Sequence, residues 1–161
     1  MFGLDIQKAA DALTEFKGAA RRFEYLGKLM GAHIYDDYAH HPTEIRATLD
    51  TASEISAGRI ICVFQPHTYS RTKMFFEEFA NAFDKADILI ISDIYAAREK
   101  DDGSISSKML VDKISHNFSD CIYIGIFDEI SNKLKSIIRE NDIVIIMGAG
   151  DIVKLTDILL Q

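Results

Sequence analysis

Short apolar runs, each followed by a polar loop and an amphipathic stretch, recur along most of the chain. Ile60 to Phe64, Ile88 to Ile91, Cys121 to Ile124 and Ile143 to Met147 are apolar without alternation and rich in Ile and Val. That pattern predicts strands covered on both faces. Helices are predicted between them. Pro42 to about Ser56 puts Ile45, Leu49 and Ala52 on one face, and Met74 to Phe83 stacks Phe75, Phe79 and Phe83 four residues apart. Ser107 to Ile114, Glu129 to Ile138 and Asp151 to Leu160 complete the set. Such alternation predicts an α/β domain, its sheet mainly parallel and wrapped by helices on both sides.

The first forty residues depart from this rhythm. Ile6, Ala9, Ala10, Leu13 and Phe16 recur at helical spacing, and Arg21 to Met30 and Ala32 to Tyr38 read as extended stretches around Gly31. The tight connection predicts a hairpin, so one strand of the sheet is expected to run antiparallel. A helix ahead of the first βα unit is also a hint that something precedes this domain.

Four loops of unusual composition follow strand candidates: Asp36 to Pro42, Gln65 to Thr72, Asp93 to Glu99 and Gly148 to Asp151. In an open parallel sheet, ligands bind beyond the carboxyl ends of the strands, so the four loops predict one shared site. Taken singly, each has a plainer reading. Asp36 and Asp37 also suit a solvated turn, and Pro42 suits the first position of a helix. Adjacent His40 and His41 are harder to assign to packing, and at a helix N-terminus neutral imidazoles can donate or accept hydrogen bonds. Asp36 or Asp37 with His40 or His41 also has the composition of a metal site of the phosphoesterase kind. In the second loop, Arg71 stands four residues after His67 beside a helix start. An arginine there can grip a carboxylate or phosphate with two parallel hydrogen bonds; the alternative is a surface arginine next to a capping Ser70 or Thr72.

Composition narrows the choice. The 161 residues suffice for one domain with a real core, and a net charge of −7 argues against a general nucleic-acid binder. Cys62 and Cys121 sit in apolar runs without metal-ligand spacing and read as core thiols of a reduced compartment. No apolar run reaches membrane-spanning length and the N-terminus has no secretory core, so a cytoplasmic protein without a membrane partner is expected. Gly148-Ala149-Gly150 lacks the third glycine of a dinucleotide fingerprint, Val153 standing there, and reads as a tight strand-to-helix turn. No Gly-Lys-Ser or Gly-Lys-Thr occurs, so a triphosphate cradle, if ATP is used, must come from elsewhere.

Five stretches in order resemble the Mur ligase family, its alanine-adding branch in particular. They are Phe16, Gly18, Arg21, Arg22, Phe23, Glu24 and Gly27; Tyr35 to Glu44; Phe64 to Thr72; Asp93 to Glu99; and Met147 to Asp151. The resemblance implies the last of three domains, a three-layer Rossmann-like fold with a mostly parallel sheet of about six strands, one of them antiparallel. Residues 1–17 would be a linker helix from a central domain and residues 18–161 the C-terminal domain. It further implies an ATP-dependent ligase joining L-alanine to UDP-N-acetylmuramate in peptidoglycan synthesis, with ATP and Mg2+ bound mainly by the central domain. Arg22 and Asp36 then match nucleotide-contacting positions. Tyr38, His67 and Arg71 match the alanine pocket, Arg71 facing the carboxylate, and His41 supports the hinge-side loop. No residue is implied as certainly catalytic or as a metal ligand. Thr68 stands where some relatives carry arginine, which leaves Arg71 with fewer helpers. Three rivals remain: the related ligase that recycles muropeptides, which usually has Phe where Tyr38 stands, the metal-dependent phosphoesterase, and a non-catalytic nucleotide-binding module.

Overall fold

The computed structural model describes residues 19–161 together with Gln7 and Lys8, which are helical. The rest of the N-terminal helix expected from Ile6 to Phe16, with its linker role, lies outside the described residues.

Strand β1 (Glu24–Leu29) turns at Met30 and Gly31 into β2 (Ala32–Asp37), and the two pair antiparallel as the hairpin pattern predicts. Helix α1 (Pro42–Ile55) leads to β3 (Ile60–Phe64). Two short helices, α2 (Tyr69–Met74) and α3 (Phe76–Phe79), lead to β4 (Ile88–Ile91). Helix α4 (Ser107–Ile114), β5 (Cys121–Tyr123), α5 (Phe127–Ile137), β6 (Ile143–Met147), a 3-10 turn (Asp151–Val153) and α6 (Lys154–Leu160) complete the order. The sheet runs β1-β2-β6-β3-β4-β5, with every pair except β1–β2 parallel.

Full burial of β3 and β6 explains their unbroken apolar runs, because alternate residues enter different cores. Ile60, Cys62 and Phe64 pack with Ile45, Leu49, Phe79, Phe83 and Leu110 on one face. Ile61 and Val63 pack with Ile130, Leu134, Leu155 and Leu159 on the other. Helices α1, α3 and α4 thus cover one face, and α5 and α6 the other. Both thiols are buried as expected, and burial pushes Cys62 well above the ordinary thiol range. Among the described residues no helix is long and apolar enough to cross a membrane.

The helix expected over Met74 to Phe83 takes a different form. Helical structure starts earlier, at Tyr69, and breaks at Phe75, where φ is −106° and ψ is 26°. Phe79 and Phe83 do enter the core around Phe64; their spacing of four reflects shared burial across a broken segment. The extended stretch expected from Arg21 begins only at Glu24, since Arg21 and Phe23 adopt left-handed backbone with φ of 57° and 47°.

At the sheet end where β3 and β6 begin, Asp142 (2% exposed) binds the Arg59 guanidinium at 2.6 and 3.2 Å and accepts from the Arg59 and Arg139 amides. Burial pushes this carboxyl up, but the hydrogen bonds from Arg59 and Arg139 outweigh it and hold Asp142 below its ordinary value. A carboxyl with a lowered folded-state pKa stabilises the fold above its unfolded pKa and loses that contribution as pH falls through the folded one. Asp142→Asn should therefore cost about 2–3 kcal/mol at pH 7 in urea unfolding, and the gap to wild type should narrow as pH falls below about 4.

Candidate functional site

Four parallel strands end level with one another. Asp37 and Phe64 each pair with Met147, and Phe64 pairs with Ile91. Backbone bonds continue past these ends: Gly148 N–H donates to Asp37 O (3.0 Å), Gln65 to Met147 O (2.9 Å), Ser92 to Phe64 O (3.0 Å) and Tyr95 to Pro66 O (2.9 Å). The four loops singled out by their composition are thereby joined into one edge.

Asp36 and Asp37 are not in a solvated turn; they are 2% and 5% exposed. Asp37 accepts from the Phe23 and Ala39 amides, both at 2.7 Å, and so holds the left-handed residue that precedes β1. Asp36 accepts from Arg21 Nε at 2.8 Å through Oδ2, while its Oδ1 is buried without a hydrogen-bond partner. Burial pushes the Asp36 carboxyl up despite Arg21. Arg21 also donates to Gly148 O at 2.7 Å and lies over the Tyr38 ring at 5.0 Å. Its neighbour Arg22 is exposed and close enough to help lower the Glu44 carboxyl.

The two adjacent histidines separate. His41 is the N-cap of α1: its Nδ1 accepts from the Thr43 amide, and Glu44 accepts from the His40 and His41 amides. This capping box, with histidine in the place usually held by Ser or Thr, is a structural task. His40 instead turns toward the loop after β3. Its ring meets Tyr38 edge-on at 5.6 Å and His67 at 5.9 Å. His67 stacks on Tyr95 at 5.5 Å, and Arg71 Nη1 lies 3.2–3.3 Å from His67 O and Nδ1. The structure thus brings Tyr38, His67 and Arg71 together and adds His40 and Tyr95. Both additions were visible as members of the polar loops, but residue type alone did not separate His40 from His41.

Burial, with Arg71 and His40 nearby, pushes the His67 imidazole below its ordinary value. At neutral pH it is uncharged, and Arg71 is the cation on its loop. The cluster is half-buried, Tyr38 keeping 38% of its surface. A carboxylate meeting Arg71 here would therefore be only partly desolvated.

The last loop needs glycine for close approach. Gly148 has φ of 151°, and a Cβ there would meet Gln65 O at 2.9 Å. At Gly150 a Cβ would collide with Gln65 and Tyr95. Gln65 bridges this turn, donating to Asp151 at 2.9 Å and accepting from Ile152 N at 3.0 Å. The turn serves packing, as its incomplete glycine pattern indicated. Of the residues named for a metal site, Asp37 holds two backbone amides, Asp36 holds Arg21 through one oxygen, and His41 caps a helix. Among the described residues no three His, Cys, Asp or Glu side chains gather as metal ligands would.

Comparison with known proteins bears on the family and the fold. The chain is 50% identical, over all of its length and 35% of the relative's, to UDP-N-acetylmuramate–L-alanine ligase of Caldanaerobacter subterraneus subsp. tengcongensis. A solved UDP-N-acetylmuramate–alanine ligase of Thermotoga maritima superposes with a TM-score of 0.76 at 30% identity, covering 98% of this chain and 33% of that one. A murein peptide ligase of Psychrobacter arcticus superposes at 0.73 with 24% identity, covering 98% of this chain and 33% of that one, which is a likeness of fold. The chain thus spans about a third of the length of the relatives it matches. The family model described as "Mur ligase, glutamate ligase domain" matches residues 21–150, so the chain belongs to the Mur ligase family.

Proposed function

We propose that residues 18–161 form the C-terminal domain of an ATP-dependent ligase that joins L-alanine to UDP-N-acetylmuramate in peptidoglycan synthesis in the cytoplasm. Residues 1–17 are then the link to a central domain. The observation that carries this reading is the convergence of Tyr38, His40, His67 and Arg71 at one sheet edge, in a chain 50% identical to an alanine ligase. The muropeptide-recycling alternative has weaker support: solved peptide-adding relatives stand at 24% and 26% identity against 30% for the solved alanine ligase, and Tyr38 is present in place of the Phe usual there.

In this reading Arg71 takes the carboxylate of alanine, a charge-assisted contact with directional geometry. Tyr38, His40 and His67 wall the amino acid in. An uncharged His67 matters here, because a second cation beside the pocket would repel the incoming ammonium. Joining an amine to an activated carboxyl rewards positioning and exclusion of water more than acid–base groups, so an open half-site suits a domain that closes over a partner surface.

ATP supplies, when bound, the phosphoryl group that activates the sugar-linked carboxylate. Of this chain's residues, exposed Arg22 fits its phosphates, and Asp36, whose buried Oδ1 has no hydrogen-bond partner, fits a ribose hydroxyl. We assign Mg2+ no ligand in this chain and place it with the P-loop of the central domain.

Three measurements test the reading. In a full-length ligase carrying this domain, Arg71→Ala should lower kcat/KM for alanine about 10- to 100-fold while the KM for ATP stays within about threefold; unchanged alanine kinetics would remove Arg71 from the pocket. Arg22→Ala should do the reverse, raising the KM for ATP roughly tenfold with little effect on alanine. The purified 161-residue chain, which has no Gly-Lys-Ser or Gly-Lys-Thr, should neither hydrolyse ATP nor form muramoyl-alanine; turnover by it would contradict the assignment.

A further inference from the structure

The loop that carries His67 and Arg71 is held in shape by a carboxylate from a different loop. Glu99, between β4 and α4, accepts from Thr68 Oγ1 at 2.6 Å and from the Ser70 amide at 2.8 Å, and makes a further short bond with Ser70 Oγ. These donors, the Ser70 hydroxyl first and Thr68 next, hold its carboxyl down at about 2, so it is ionised at any working pH.

The arrangement matters because α2 has no cap of its own. Thr68 stands at its N-cap but its side chain takes no backbone amide of the first turn; its hydroxyl is turned to Glu99 and lies 3.2 Å from the Ser70 hydroxyl. Glu99 therefore caps α2 from outside, receiving the Ser70 amide that a local side chain would ordinarily take. Within the turn so fixed, the Thr72 amide and hydroxyl bond Thr68 O at 2.9 and 2.7 Å, and Arg71 reaches back to His67. A second attachment lies just upstream. His67 and Tyr95 form a parallel bridge, the Tyr95 amide bonds Pro66 O, and the two rings stack. The segment from Tyr95 to Glu99 thus holds the His67–Arg71 turn at both ends.

We propose that Glu99 is a positioning residue for the amino-acid pocket, holding the Thr68–Arg71 turn so that Arg71 and His67 face Tyr38 and His40. Thr68 acts in the same device: its hydroxyl serves Glu99 and not the substrate. The inference rests on the reading of this edge as the alanine pocket. It adds a carboxylate that acts on an acidic substrate group only by setting the place of a cation, as direct contact between the two carboxylates would be repulsive.

The test uses a full-length ligase carrying this domain, with KM and kcat measured separately for alanine and ATP. Glu99→Gln should raise the alanine KM about tenfold, with the ATP KM unchanged within about twofold, because small displacements of a positioning group are felt by one ligand only. Thr68→Val should raise the alanine KM in the same sense by about threefold, Thr68→Ser should restore it, and the Thr68→Val/Glu99→Gln double variant should be no worse than Glu99→Gln alone, since both changes break one network. Wild-type alanine KM in Thr68→Val, with a large loss in Glu99→Gln, would overturn the proposal by making Glu99 a substrate contact. Wild-type kinetics in both variants, with Arg71→Ala impaired, would overturn positioning while leaving the pocket in place. Unchanged alanine use in Arg71→Ala would remove the pocket and this proposal together.

Discussion

Strand β6 is the last strand in the chain, yet it sits between β2 and β3 and pairs with both along its whole length. Everything at the functional edge depends on that insertion. Met147 sets Asp37 and Phe64 level, and the Gly148 and Gln65 amides extend the ladder beyond the strands. Without β6 the loop carrying Tyr38 and His40 and the loop carrying His67 and Arg71 would belong to strands that do not touch. Parallel pairing also explains why one edge is rich in chemistry and the opposite edge in stabilising pairs such as Arg59–Asp142.

The charge pattern at this edge follows from the same architecture. The chain as a whole is acidic, but the carboxylates nearest the site are engaged internally: Asp36 by Arg21, Asp37 by two amides, Glu44 by the start of α1 and Glu99 by the start of α2. Each accepts from an arginine, a backbone amide or a hydroxyl of the segment it holds. Exposed Arg22 and half-buried Arg71 add positive charge at the same edge. Net charge therefore speaks to nucleic acid and says little about this edge.

Much of this was legible in the residues, and the limits have physical causes. β3 and β6 announced themselves because burial on both faces leaves no room for polar positions. The hairpin was legible from Gly31, and the shared edge from the rule that parallel strands end together. Phe75, Phe79 and Phe83 misled because core burial produces a spacing of four even where the backbone breaks. Asp36 and Asp37 looked like turn residues since a strand's buried end carries no apolar signal when its polar groups are paired by distant arginine and amides. Which of His40 and His41 caps the helix depends on backbone direction at one residue. The role of Glu99 depends on two loops meeting, which a linear reading does not contain.

Burial of Cys62 gives the domain a built-in gauge of its own opening. The thiol lies in the middle of β3, fully buried under the helix layer of α1, α3 and α4 and held in its protonated form, so a thiol reagent reaches it only when that layer lifts from the sheet. The loop of His67 and Arg71 begins three residues further on. Labelling rate at Cys62 therefore reports how often this helix layer opens, and a ligand that binds only the closed form slows the reaction from a distance.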